Sequence, residues 1–153
     1  MNPVDADEKT IYSKALALLA RREHARAELK RKLQQRYTDD TLIDTVLDRL
    51  QQENYQSNTR FAEHFLRARV NQGYGALRIE RELQDKGVSE DLIQQTLLDA
   101  EVDWEDHLRQ VREKKFGDQP PEDFKEKSKQ VKFLEYRGFA LSSVLGLLGG
   151  LAG

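Results

Sequence analysis

Between Val4 and Gln72 the chain carries neither glycine nor proline, and its apolar residues recur every three or four places. Ile11, Ala15, Leu18 and Leu19 form one such set, Leu29 and Leu33 a second, and Leu42, Ile43, Val46, Leu47 and Leu50 a third. That spacing puts each set on one face of a helix. Leucine occurs 21 times against 12 for isoleucine and valine together. The balance favours helices, since strands draw on β-branched residues and need turn punctuation.

The pattern then repeats. A shift of fifty places pairs Ile11 with Phe61, Leu16 with Leu66, Leu29 with Ile79, Leu33 with Leu83, Ile43 with Ile93 and Leu47 with Leu97. Two copies of one three-helix unit explain that register. Asp39 and Ser89 stand where N-caps are expected, with acids just behind them, and Gly87 stands where a left-handed C-cap is expected. The first copy has Tyr37 in place of that glycine, so its turn must be built differently. A shift of fifty-one pairs Leu83 with Leu134, Gly87 with Gly138, Ile93 with Val144 and Leu97 with Leu148, which predicts a third copy after a turn-rich interruption at Phe116 to Phe124. The fold expected is all-α, three tandem three-helix repeats in an elongated array. Its parts are an acidic N-terminal tail (1–9) and repeats at 10–56, 57–102 and 103–153, the last with a proline-containing loop at 116–124. Gly146, Gly149 and Gly150 predict a weak last helix, frayed at its end.

Composition narrows the function. The 153 residues include no cysteine, one methionine and one tryptophan, which excludes a disulfide framework, a thiolate metal site and a cysteine nucleophile. Met1 to Lys9 has no apolar run of the kind that directs export, and a cytoplasmic setting is expected. Phe139 to Gly153 is the longest uncharged stretch, and its fifteen residues fall short of the roughly 20 of a spanning helix.

The net charge of −2 hides a strong alternation: residues 9–37 carry +7, 38–56 carry −4, 57–86 carry +2, 87–106 carry −7 and 107–137 carry +3. A patch, not the mean, is what a polyanion or a charged protein groove meets. The densest patch holds Arg21, Arg22, Arg26, Lys30, Arg31 and Lys32; Arg67, Arg69, Arg78 and Arg81 follow in the second repeat, and Lys132 and Arg137 in the third. These are the candidate contacts for a partner or DNA. A solvated face with Glu23 and Glu28 as ion-pair partners is the competing reading of the first patch.

No catalytic constellation emerges. His24, His64 and His107 lack a second ligand at metal spacing, and Glu63 with His64 does not extend to H-E-x-x-H. Lys127 and Ser128 have no glycine-rich run before them, and Gly73 to Gly75 reads as a turn between helices. The reading is of a protein that is not an enzyme and carries no cofactor or metal. Tyr37, Tyr55 and Tyr74 lie near repeat edges, where an aromatic ring can stack on a base or a partner.

Three stretches give the chain a family likeness: R-R-E-H-A-R-A-E-L-K-R-K-L (Arg21 to Leu33), F-A-E-H-F-L-R-A-R (Phe61 to Arg69) with G-Y-G-A-L-R-I-E-R-E-L-Q-D-K-G-V (Gly73 to Val88), and F-L-E-Y-R-G-F (Phe133 to Phe139). Together and in this order they resemble the RecX family, regulators of the RecA recombinase. One departure is Ala25, where the family often has a serine that caps the second helix. The resemblance implies a monomer of three-helix repeats that lies in the groove of the RecA filament on single-stranded DNA. It implies inhibition of ATP hydrolysis and strand exchange, and through them a role in recombination, DNA repair and the SOS response. Direct binding to DNA would be weak, and no membrane is involved. The rival expectation is a free-standing DNA-binding protein with tandem helix-turn-helix-like units.

Overall fold

Asp7 opens the first helix: its carboxylate accepts the Thr10 N–H at 2.8 Å, and Glu8 follows in the first turn, where the helix dipole favours an acid. The computed structural model describes residues 2–152, with side chains to residue 150, and places nine helices among them. They are α1 (Glu8–Arg21), α2 (Arg26–Gln34), α3 (Asp40–Gln52), α4 (Asn58–Asn71), α5 (Ala76–Asp85), α6 (Glu90–Asp99), α7 (Trp104–Phe116), α8 (Phe124–Tyr136) and α9 (Leu141–Ala152). The fold is all-α. The helix α9 runs through Gly146, Gly149 and Gly150, the residues expected to weaken and fray it, and continues to Ala152; Gly153 lies outside the described residues.

Two compact units divide the chain, one of Met1–His64 with Leu83–Ile93, the other of Phe65–Glu82 with Gln94–Gly153. In the first, α1 and α2 pack on α3. Ile11, Ala15, Leu29, Leu33, Ile43, Val46, Leu47 and Leu50 are buried together, with Leu18, Leu19 and Leu42 against them, as their spacing predicts. Asp39 caps α3, its carboxylate accepting the Leu42 N–H at 3.1 Å.

The turn that lacks a glycine is closed by the N-terminal segment. Val4 N–H donates to the Arg36 carbonyl at 2.9 Å and Thr38 N–H to the Val4 carbonyl at 3.1 Å, a single parallel bridge. Thr38 adds a hydroxyl bond to Asp5. Tyr37 is thereby turned into the core, so it is no stacking surface at a repeat edge.

In the second unit α7, α8 and α9 surround Leu108, Leu134, Phe139, Val144 and Leu148. The interruption before α8 is held from inside by Arg112, 1 % exposed. Its Nε donates to Gln130 Oε1 at 3.0 Å and Nη1 to the Gly117 carbonyl at 2.8 Å, while Nη2 donates to the Gln119 carbonyl. Among the described residues no helix is long and apolar enough to cross a membrane.

Candidate functional site

The basic residues singled out from the sequence separate by what they meet. Arg26 pairs with Asp48 at 2.7 Å and with Gln51, and Lys30 pairs with Asp44 at 2.8 Å, so both lie along the acidic helix α3. Arg31 donates to the Asp85 carbonyl. Arg21, Arg67, Arg81 and Lys132 are exposed and form no ion pair among the described residues.

Arg22 and Lys32 belong to a packed joint within the first unit, where the start of α2 meets the turn between α5 and α6. A Cβ on Gly87 would stand 2.6 Å from Ala27 Cβ, and Gly87 has φ +82°, so only glycine allows this approach. Glu28 lies almost out of water beside it. Arg22 grips the carboxylate with both Nη atoms at 3.1 and 2.8 Å, and Lys86 reaches it at 3.1 Å. Burial acts to raise the Glu28 pKa, but the hydrogen bonds and charges of Arg22 and Lys86 outweigh it and hold the carboxyl at about 2.

His24 is buried in the same joint. Its Nδ1 is 3.1 Å from the Arg22 carbonyl, which only accepts, so Nδ1 carries the proton and Nε2 accepts from Lys32 Nζ at 2.9 Å. Burial, aided by the Arg22 and Lys32 charges, lowers the His24 pKa below its ordinary value despite the bond to the Arg22 carbonyl.

The repeat register carries this joint into the second unit with its chemistry changed. Tyr74 stands in place of His24, Arg78 in place of Glu28, Glu82 in place of Lys32 and Arg137 in place of Lys86. The close approach at a glycine recurs, Gly138 against Arg78, and here the backbones also bond directly: Gly75 N–H donates to the Arg137 carbonyl at 2.7 Å and Leu77 N–H to the Gly138 carbonyl at 3.0 Å. A carboxylate is no longer at the centre. Three guanidinium groups surround the Tyr74 ring instead, Arg78 at 4.1 Å, Arg137 at 5.0 Å and Arg69 at 5.5 Å from its centroid. Glu82 pairs with Arg69 at 3.1 Å and approaches Arg78 at 3.5 Å. One acid thus answers two of the three cations, and Arg78 also lies 5.1 Å over the ring of Tyr136, which is 74 % exposed.

The structure therefore brings Arg69, Arg78 and Arg137 together from three helices or their ends. Tyr74, the candidate for stacking on a partner, is already stacked by arginines. Sequence reading missed Tyr136, Lys114 and Lys115. The two lysines close the last turn of α7 and line a cleft with Arg137; their signal was a basic doublet in the +3 segment.

Comparison with known proteins bears on the three-helix pattern directly. Family models described as the first, second and third three-helix domains of RecX match residues 12–50, 57–97 and 101–144. The chain belongs to the RecX family. Among relatives named Regulatory protein RecX, that of Pseudomonas entomophila is 46% identical over 136 residues, covering 89% of this chain and 88% of its own. The Halorhodospira halophila relative of that name is 43% identical over 144 residues, covering 94% and 89%.

Two solved structures share the fold. A crystal structure of regulatory protein RecX matches with a TM-score of 0.76 at 19% identity over 94% of this chain and 71% of its own. That of RecX from Lactobacillus salivarius matches at 0.74 and 18%, over 95% and 96%. The three tandem three-helix domains read from the repeat register are those of the RecX family, and its named members are regulatory proteins.

Proposed function

We propose that this protein binds the RecA filament on single-stranded DNA as a monomer in the cytoplasm. There it lowers ATP hydrolysis and strand exchange, and so regulates recombination, DNA repair and the SOS response. Family membership supplies the partner. The observation in this chain that carries the reading is the arginine cluster of the second unit, where Arg69, Arg78 and Arg137 converge on the Tyr74 ring and Glu82 pairs with Arg69 and Arg78 but not with Arg137. A rigid, positively charged surface of stacked guanidiniums is suited to acidic protein surface or DNA phosphate. Arg67, Arg81 and Lys132 of the same unit, and Arg21 of the first, are exposed and without ion pairs among the described residues, further cations available to a partner. Occupancy of one filament state alters ATP turnover by shifting populations and requires no catalytic group in the regulator.

The test is the DNA-dependent ATPase of the recombinase with and without this protein. Hydrolysis should fall as the protein approaches stoichiometry with filament, and Arg78→Ala with Arg137→Ala should weaken the effect. Unchanged hydrolysis at stoichiometric protein contradicts the reading.

A further inference from the structure

We propose that a cleft in the second unit, walled by the end of α4, one face of α7 and the last turns of α8, binds the phosphate groups of nucleotides. Its volume is about 490 Å³, within the range of small-molecule sites. Lys114, Lys115 and Arg137 supply three positive charges, and no aspartate or glutamate is among the lining residues. Val70, Val111 and Phe133 form the apolar part of the wall. Apolar backing lowers the local dielectric and strengthens both the repulsion among the cations and their attraction for an anion.

The repeat supplies an internal control. In the first unit Lys86 is answered by the buried carboxylate of Glu28 at 3.1 Å. In the second unit the counterpart of Lys86 is Arg137, the counterpart of Glu28 is Arg78, and Arg137 forms no ion pair among the described residues. The carboxylate that answers Lys86 in the first joint thus has no equivalent beside Arg137, the member of the second joint that lines the cleft.

Arg137 is also fixed in place before any ligand arrives. Its Nη1 donates to the Gln72 carbonyl at 2.8 Å, and its guanidinium lies 5.0 Å from both the Phe133 and Tyr74 rings. Gly73 keeps the space beside it open. A Cβ there would stand 3.3 Å from Arg137 Nη1 and 3.6 Å from Val111, and φ is +87°. Carbonyls that would repel an anion are engaged, Gln72 by Arg137 and Tyr74 by His107 Nε2 at 2.9 Å. Asn71, Gln72 and Gln110 add side-chain amides to the lining, groups able to meet a base edge.

Three cations favour phosphate over carboxylate. A phosphate monoester brings nearly two negative charges and three acceptor oxygens, and successive phosphodiesters bring one charge each. A carboxylate brings one charge and leaves two cations unanswered. The phosphate can come from a free nucleotide or from the backbone of a strand. The inference goes beyond the filament reading, and it is tested on bare ligands with no recombinase present, so either can fail without the other.

The experiment measures binding of the full chain to fluorescein-labelled hexathymidylate by anisotropy, with ATP and hexaglutamate as competitors. Trp104, the only tryptophan, reports location: its ring lies 5.9 Å from that of His107, which lines the cleft. Lys114→Gln with Lys115→Gln removes two exposed cations, and unchanged circular dichroism and melting temperature confirm its fold. Lys129→Gln, an exposed lysine outside the cleft lining, is the control. The expected result is a saturable change in Trp104 emission, about a tenfold loss of affinity in the double variant, and a salt slope lower by about 1.4 for a single strand. The control should bind as the unaltered protein does. Competition by ATP assigns the cleft to free nucleotides, and binding of the strand without such competition assigns it to the backbone; both support a phosphate site. Undiminished affinity in the double variant, no binding of either phosphate probe, or tighter binding of hexaglutamate than of both would overturn it.

Discussion

Glu28 sits between Arg22 and Lys86 with 7% of its side chain exposed, and its carboxyl is held at about 2 against an ordinary 4.5. A lowered carboxyl pKa stabilises the folded state above the unfolded value and is lost as pH falls toward the folded one. The pair accordingly contributes up to about 3 kcal/mol near neutrality, and that contribution should drain away between pH 4.5 and 2. His24 acts in a higher window. Its folded pKa is depressed, so below about 6.5 the unfolded chain binds a proton that the folded chain refuses, and stability declines there first. Thermal melting from pH 7.5 to 2.5 should show both declines. Glu28→Gln should cost about 2–3 kcal/mol at pH 7 and flatten only the lower one. Arg112 offers a second test, since Arg112→Met strands the Gln130 amide oxygen and the carbonyls of Gly117 and Gln119. The expected cost is about 1–3 kcal/mol, with faster protease cleavage within 116–124. The sequence displayed Glu28 as a local partner for a basic face, but Lys86 lies 58 positions away and only folding brings the two together. Nothing in the local sequence marks Arg112 as a guanidinium that is to be sealed by loop carbonyls.

At the level of helices, α2 shows how a missing cap is replaced. Ala25 gives it no side-chain acceptor, yet the Arg26 N–H is satisfied at 2.9 Å by Asn58 Oδ1 from the start of α4. Gln56, itself buried, donates to the same Oδ1 at 3.0 Å and to the His24 carbonyl at 3.2 Å. Asn58→Ala should therefore cost about 1 kcal/mol, read as a lower denaturant midpoint, while Ala25→Ser should recover little of it. The joint of the second unit is less forgiving. A Cβ on Gly75 would lie 2.6 Å from the Gly138 carbonyl oxygen and 2.8 Å from the Phe139 ring. Gly75→Ala should destabilise this unit by about 1–3 kcal/mol through overpacking, measured by the same midpoint. Apolar spacing and the left-handed glycines were readable at this scale because helix period and turn sterics are local. The turn at Tyr37 was readable only as a gap: the bridge from Val4 that closes it is a pairing between distant backbones, which side-chain pattern does not encode.

Across the whole chain, the charge alternation of the sequence resolves into internal pairing and surplus. The acids of α3 are spent on α2, through Asp48 with Arg26 and Asp44 with Lys30. Of the local partners that the sequence offered for this patch, Glu23 goes to Arg60, and Glu28 to Arg22 of the patch and to Lys86 beyond it. The surplus lies instead where Glu28 of the first joint becomes Arg78 of the second, and cation stacking on Tyr74 takes over from a buried carboxylate. Family and fold were legible from three stretches and a fifty-residue register. Which cations remain unanswered was not, because pairing depends on helix packing that charge counts do not contain. The measurement that bears most directly on a regulator acting by occupancy is RecA ATP hydrolysis on single-stranded DNA, titrated with this protein and with its Arg78→Ala, Arg137→Ala variant. The expected result is progressive inhibition by the unaltered protein and markedly weaker inhibition by the variant at equal, folded concentration. Hydrolysis that stays constant up to one protein per recombinase subunit would contradict the account.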